Sequence, residues 1–284
     1  MGAAGQLGSD LVRAWVVERP GDEVVALGHQ DVEITSPYSV REIMALVRPT
    51  LVVNATAYNL VDQAEADPAE AFAVNAVGVQ NLALACREVG VPLLHVSTDY
   101  VFDGLKAEPY VESDPVAPLG AYGVSKAAGE MLVRAALPAR HWIVRTCGLY
   151  GVAGSRGKGG NFVETMLRLA GEGREIRMVA DQLVTPTHTA DLARQLVRLA
   201  SGGPFGTFHA TCQGRCTWYE FAAEIFCQGG VEADLKPQSQ AQNGRPARRP
   251  ANSVLDNRRL REAGLDLMPD WRESLASYLA RRRA

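Results

Sequence analysis

Short apolar runs rich in β-branched residues alternate along this chain with longer stretches whose apolar residues recur every three or four positions. The short runs read as buried strands and the longer ones as amphipathic helices, the pattern of βαβ units around a parallel sheet. Strands are predicted at Glu23–Leu27, Thr50–Asn54, Pro92–Ser97, His141–Thr146 and Thr207–Thr211. Helices are predicted at Gln6–Glu18, Ser39–Val47, Pro68–Val89, Ala121–Ala136, Asn161–Ala170, Thr189–Ala200 and Thr217–Gly229. Pro49, Pro92 and Pro138 fall between a helix and the next strand, where a missing N–H stops the helix. The fold class this implies is α/β, with a doubly wound parallel sheet.

The regular alternation loosens after Gly151. Residues Gly151–Gly160 hold five glycines with Arg156 and Lys158, and Lys236–Arg249 is polar, basic and proline-bearing. Residues 1–150 are therefore expected to form the first domain and 151–284 mainly a smaller C-terminal lobe. The run near Thr207–Thr211 is expected to return to the first sheet. A length of 284 residues suffices to bury roughly three quarters of the unfolded surface, so no disulfide or metal staple is required.

Composition narrows the class further. A net charge of −3 argues against a nucleic-acid partner held through its phosphates. No apolar run is read as approaching the ~18 residues of a membrane span, and no leader pattern is visible, so a cytoplasmic protein with no membrane partner is expected. The five cysteines, Cys86, Cys147, Cys212, Cys216 and Cys227, form no C-x-x-C pair and fit a reducing compartment. Cys212 and Cys216 are read as structural, and no metal ligand is assigned. The basic tail Arg281–Arg283 is read as solvated.

Gly2-Ala3-Ala4-Gly5-Gln6-Leu7-Gly8 places three glycines at even spacing before an amphipathic helix. Such a loop turns tightly and brings backbone N–H groups to a pyrophosphate at the helix N-terminus, as in a Rossmann-type dinucleotide site. Gly2, Gly5, Gln6, Leu7 and Gly8 are its cofactor-binding candidates. A loop of this kind should follow a buried strand, yet only Met1 precedes Gly2. The first strand is missing from this sequence, and the native product is expected to carry about six to eight further apolar residues upstream. The predicted second strand ends Leu27-Gly28-His29-Gln30. No acid stands at its tip to meet a ribose 2′-OH, so NADPH is favoured, with NADH the alternative.

Tyr122-Gly123-Val124-Ser125-Lys126 places a phenol and an ammonium one helical turn apart. A cation beside a tyrosine favours the phenolate and lowers its pKa, which suits the pair to moving a proton. Upstream, Leu93–Ser97 runs into Thr98-Asp99-Tyr100-Val101-Phe102-Asp103-Gly104. This sets the Ser97 and Thr98 hydroxyls at the C-terminal edge of a parallel strand, where open α/β sheets bind ligands. Either could serve a substrate carbonyl or a developing alkoxide.

The glycine loop, S-T-D-Y-V-F-D-G and Y-x-x-x-K in this order resemble the extended short-chain dehydrogenase/reductases. Val53-Asn54-Ala55-Thr56-Ala57-Tyr58, Asn75, Pro115-x-x-Pro118-Leu119-x-x-Tyr122-Gly123 and Asp181-Gln182-x-x-x-Pro186-Thr187 narrow the likeness. With Gly160-Asn161-Phe162, His209, Tyr219-Glu220-Phe221 and Arg248-Arg249-Pro250, nearly the whole chain resembles the dTDP-4-dehydrorhamnose reductase family. The resemblance implies an NADPH-dependent reduction of the C4 keto group of dTDP-4-dehydro-β-L-rhamnose to dTDP-β-L-rhamnose. It implies Tyr122 as proton donor, Lys126 as ribose contact and depressor of the tyrosine pKa, and Thr98 as carbonyl partner. Glu33 and Ile34 would lie near the adenine, and Thr56, Ala57 and Tyr58 would line the middle of the cofactor. Asp99 and Asn161 would meet the nucleotide sugar, with Arg156, Lys158 and Arg245–Arg249 as cations for its diphosphate unless these are solvated. Mg2+ is implied by the resemblance alone. Oligomeric state stays open, a homodimer being one alternative.

In Arg145-Thr146-Cys147-Gly148-Leu149-Tyr150, Gly148 stands where many such reductases carry a tryptophan, and Val184 where a glycine is frequent. The loss of an indole removes contact area and a donor, so a reductase of another nucleotide-linked 4-keto sugar is a competing reading. A non-catalytic relative resembling the regulatory β subunit of methionine adenosyltransferase is a third. The intact Tyr122, Lys126 and Thr98 weigh against it.

Overall fold

A computed structural model describes residues 1–154 and 160–282. Its strands are β1 (Val52–Asn54), β2 (Leu93–Thr98), β3 (His141–Thr146), β4 (Leu149–Tyr150), β5 (Ile176–Val179), β6 (Leu183–Val184), β7 (Thr187–His188), β8 (Gly206–His209), β9 (Cys216–Thr217) and β10 (Leu235–Gln238). Strands β1, β2, β3 and β8 form a parallel sheet in the order β1-β2-β3-β8. The fourth strand thus comes from the C-terminal half of the chain. The C-terminal half also holds three two-stranded pairings, β10-β5, β4-β7 and β6-β9.

Its helices are α1 (Gln6–Glu18), α2 (Pro37–Val47), α3 (Val61–Ala66), α4 (Pro68–Phe72), α5 (Val79–Val89), α6 (Ala121–Ala136), α7 (Phe162–Gly171), α8 (Thr189–Ala200), α9 (Trp218–Gly229), α10 (Arg258–Glu262) and α11 (Trp271–Arg281). A π-helical turn, Ala73–Gly78, joins α4 to α5. The strand alternation separates two cores. Leu94, Trp142 and Val144 face one cluster with Leu7, Leu11 and Leu196, whereas Leu93 and Ile143 face another with Val40, Val79 and Val133. Adjacent residues of a strand point to opposite faces, so each strand is buried on both sides, as a parallel sheet requires.

Local chemistry sets the helix limits. The Ser36 hydroxyl accepts the Ser39 N–H before Pro37 opens α2, and Thr217 with Glu220 forms a capping box on α9. Gly90 and Gly230 close α5 and α9 at positive φ.

One expectation fails here. Glu23–Leu27 is not a strand. The Met1 nitrogen donates to the Val53 carbonyl at 2.8 Å, the Ala55 N–H to the Met1 carbonyl at 3.2 Å, and the Ala3 N–H to the Leu27 carbonyl at 3.0 Å. Leu27 therefore finds one ladder bond, and Val25 lies exposed. By length and composition alone, the Pro68–Val89 stretch is long and apolar enough to cross a membrane, although polar Asn75, Gln80 and Asn81 interrupt it. In this fold half of its apolar window is buried, and Val79, Leu82, Ala83 and Cys86 form part of a core cluster. Cys86, Cys147, Cys212 and Cys216 are buried, Cys227 is exposed, and all five are free thiols.

Candidate active site

Backbone proximity shapes the glycine loop. Gly2 has φ +78°, and a Cβ there would lie 3.0 Å from the Ala55 carbonyl carbon. A Cβ on Gly8 would lie 2.0 Å from the Gly2 oxygen, so helix α1 can sit on the turn only with glycine at that position. Gly5 is the N-cap and accepts the Ser9 N–H through its carbonyl. The first-turn amides Gln6, Leu7 and Gly8 precede the helical ladder and have no intrahelical acceptor. Beside them the Gln6 Oε1 atom is buried without a hydrogen-bond partner. A ring of donors on a positive helix end, packed too closely for any Cβ, fits a dinucleotide pyrophosphate. Leu7 contributes its amide alone, since its side chain belongs to the core.

The other cofactor candidates divide. Thr56 donates its N–H and hydroxyl to the Asn54 Oδ1 at 3.0 and 2.6 Å. Tyr58 is tied through its N–H and carbonyl to the buried Asn75 amide at 2.9 and 3.0 Å, while Ala57 is exposed. The Glu33 carboxylate accepts the Thr35 N–H and hydroxyl, at 2.9 and 2.8 Å, and these bonds hold its pKa below the usual range. Ile34 is buried against Gly78, where a Cβ would come within 2.8 Å of it. These two shape the turn before α2 rather than leaving side chains free. Contrary to expectation, the Leu27-Gly28 tip does carry an acid. Asp31 folds back and accepts the Gly28 N–H at 2.7 Å.

Helix α6 brings the catalytic candidates to the end of β2. The Glu65 carboxylate accepts the Ala121 N–H at 2.7 Å and complements the positive helix end. Gly123 packs against the turn after β2, where a Cβ would meet the Tyr100 carbonyl oxygen at 2.3 Å. That approach sets the Tyr122 ring edge-on to Tyr100, centroids 5.5 Å apart, and brings the phenol close enough to Thr98 for that hydroxyl to draw its pKa down. Thr98 donates to the Asp99 Oδ1 at 2.9 Å. Burial raises Asp99 to about 6, although the neighbouring Ser253, Thr98 and Cys147 side chains pull it back down.

Lys126 departs from the spacing argument. Its side chain is 1% exposed; Nζ donates to the Val96 carbonyl at 2.7 Å and lies 3.4 Å from the His95 Nε2. Burial brings this amine down to about 8, against the opposing pull of Glu130. Burial pushes the Tyr122 phenol up to about 12, and the hydroxyl of Thr98 only partly offsets that. The expected depression of the tyrosine by Lys126 is therefore absent, because the lysine nitrogen points along the sheet toward β2. The phenol is a neutral proton donor.

Other candidates take structural partners. Ser97 donates to Glu130 at 2.6 Å, within a buried pair that Glu130 makes with Arg145 at 2.7 Å. Asn161 caps α7 through its Oδ1 and donates from Nδ2 to the Gly151 carbonyl and the Tyr278 hydroxyl, each at 2.8 Å. None of these bonds leads to the Thr98–Tyr122 cluster. Arg249 donates from Nη2 to both Asp62 oxygens, at 3.0 and 2.9 Å, with Arg245 3.7 Å away from the same carboxylate. Arg156, Lys158 and Arg283 lie outside the described residues. Among the described residues no three His, Cys, Asp or Glu side chains come together to hold a metal, so Mg2+ finds no ligand set. Sequence reasoning missed His95, Glu130 and Asp31. The i,i+4 step from Lys126 to Glu130 on the sheet-facing side of α6 would have revealed one of them.

A family model described as RmlD substrate binding domain matches residues 1–284. The chain is 43% identical over 280 residues to a dTDP-4-dehydrorhamnose reductase of Streptomyces griseus, covering 96% of this chain and 90% of that protein. It is 40% identical over 275 residues to a dTDP-4-keto-6-deoxy-D-glucose reductase of Streptomyces niveus, covering 96% and 93%. Among solved structures, the dTDP-4-dehydrorhamnose reductase of Bacillus anthracis in complex with NADP superposes with a TM-score of 0.93. Its identity is 37%, over 99% of this chain and 97% of that one.

Proposed function

The chain belongs to the RmlD substrate binding domain family, and on that premise we propose that it is an NADPH-dependent oxidoreductase reducing the C4 keto group of dTDP-4-dehydro-β-L-rhamnose to dTDP-β-L-rhamnose. The observation that carries this reading is the convergence of the Thr98 hydroxyl and the neutral Tyr122 phenol at the C-terminal edge of β2. The N-terminal part carries the glycine loop, and the C-terminal part supplies most of the sugar-nucleotide lobe. When bound, the cofactor supplies the hydride. Tyr122 then gives its proton to the C4 oxygen, and Thr98 stabilises the negative charge growing there. Thr98 has one proton, which Asp99 takes in this structure, so carbonyl binding redirects it. Lys126 meets the ribose and stabilises the phenolate left behind. Both roles require its nitrogen to leave the Val96 carbonyl.

The test is NADPH consumption with authentic dTDP-4-dehydro-β-L-rhamnose, run beside NADH. Steady turnover with NADPH is expected; no consumption by a folded, NADPH-binding protein would reject the reading. A second reading, a different 4-keto sugar, rests on Gly148. It sits at φ +59°, with a Cβ meeting the Thr185 oxygen at 3.0 Å, so no large side chain replaces the indole locally. Clear preference for a GDP-linked ketosugar over the dTDP-linked one would favour it.

A further inference from the structure

A buried hydrogen-bond chain runs from the Thr56 loop to Lys126, and its direction can be read atom by atom. The Thr56 N–H points at the Asn54 Oδ1, 3.0 Å away, which fixes that atom as the oxygen of the amide. Nδ2 of Asn54 is then the atom 3.1 Å from the His95 Nδ1. An amide nitrogen only donates, so Nδ1 accepts. His95 is 0% exposed, and burial together with the neighbouring Lys126 holds its pKa well below the usual value, so the ring is neutral. A neutral ring whose Nδ1 accepts carries its proton on Nε2. That N–H faces the Lys126 nitrogen at 3.4 Å.

We propose that His95 is a positioning residue which sets the pH at which Lys126 becomes a cation, by presenting a fixed ring N–H to the Lys126 nitrogen. A neutral amine can accept that N–H while donating to the Val96 carbonyl. An ammonium has no lone pair to offer and meets a donor head-on. The inward seat therefore selects the amine, and the protonated form is directed out of it, toward Tyr122. The other charges near Lys126 do not supply this selection. Glu130, on the same helix, favours the ammonium, but Arg145 from β3, Arg134 and the Ser97 hydroxyl already engage its carboxylate. The proposal rests on the reductase reading for its functional meaning, although its test needs no turnover.

Two measurements on the cofactor-free protein decide it. Long-range proton–nitrogen correlation spectra of the ring report the tautomer directly. The Nε2–H form of His95 is expected at neutral and mildly alkaline pH, and an Nδ1–H form overturns the proposal even if every variant fails to fold. Titration followed at the labelled Lys126 Cε gives the protonation midpoint. His95→Leu, which removes the donor to the amine, is expected to raise that midpoint by about one pH unit, about tenfold in the dissociation constant. His95→Gln keeps an N–H donor and is expected to stay within about threefold of the wild type. A midpoint unchanged within about twofold in His95→Leu rejects the idea. Failure of ketosugar reduction with these results intact would reject the activity and leave the positioning role standing.

Discussion

Tyr122 illustrates how a single residue's chemistry depends on what lies beside it. The sequence spacing made the phenol–lysine pair visible, but the direction of the lysine was set by His95 and Val96, which are remote in sequence from α6. Because burial raises Tyr122 to about 12, the phenol stays protonated through neutral pH and is competent as a donor. Tyr122→Phe is expected to lower turnover by about 100-fold or more while NADPH binding, measured by fluorescence titration, stays close to wild type. Retained turnover would remove the proton donor from the mechanism. Lys126 gives a pH prediction. Its folded value of about 8 lies below the ordinary lysine value of 10.5. Between these the unfolded chain still binds a proton that the folded chain has released, so rising pH stabilises the fold; below about 8 that gain is absent. Compared with Lys126→Met in thermal melts, the wild type should therefore gain stability relative to the variant as pH rises through this window. A constant difference across it would contradict the buried amine.

At the level of elements, the parallel strands and most helices were legible because their apolar periodicity is long and bounded by prolines and caps. The exceptions have local causes. Glu23–Leu27 has a strand's composition, yet a strand needs a partner, and here Leu27 finds only the Ala3 N–H. The π-helical turn at Ala73–Gly78 carries no periodic signature, but it places Asn75 where it holds both the Tyr58 backbone and the Ser125 hydroxyl, at 3.0 Å. Asn161 was legible as a polar residue at a helix start, and it is the cap itself that uses its oxygen. Gly123 is the element-scale test. A methyl group there would press on the Tyr100 carbonyl at 2.3 Å, backbone against backbone, with no flexible side chain to yield. Gly123→Ala is expected to cost about 1–3 kcal/mol in chemical denaturation and to lower turnover by displacing Tyr122 from Thr98. Full stability and activity in that variant would show that the contact is not tight.

Over the whole molecule, the site depends on parts of the chain that only folding brings together. Ser253 reaches Asp99 from the C-terminal half, and Arg249 crosses to Asp62 on α3. No spacing rule connects positions 62 and 249, so this pair was invisible in the sequence, where Arg245–Arg249 read as free cations for a diphosphate. The pair is partly exposed, Asp62 at 33% and Arg249 at 11%, which argues against a large contribution to global stability. Its role is to anchor the 245–249 segment, because the same carboxylate also accepts the Ala247 N–H at 3.2 Å. Burial opposes ionisation of Asp62, yet the hydrogen bonds and charge of Arg249, the Ala247 amide and Arg245 hold its pKa below the usual range. Asp62→Asn is therefore expected to cost about 1 kcal/mol or less globally, a fall of a few degrees at most in Tm. Amide exchange at residues 247–249 should nevertheless accelerate strongly, because the anchor is lost while the surrounding core is kept. Exchange there at the wild-type rate would mean that the segment is held by its packing, and Arg249 would then be free to leave Asp62 for a bound diphosphate.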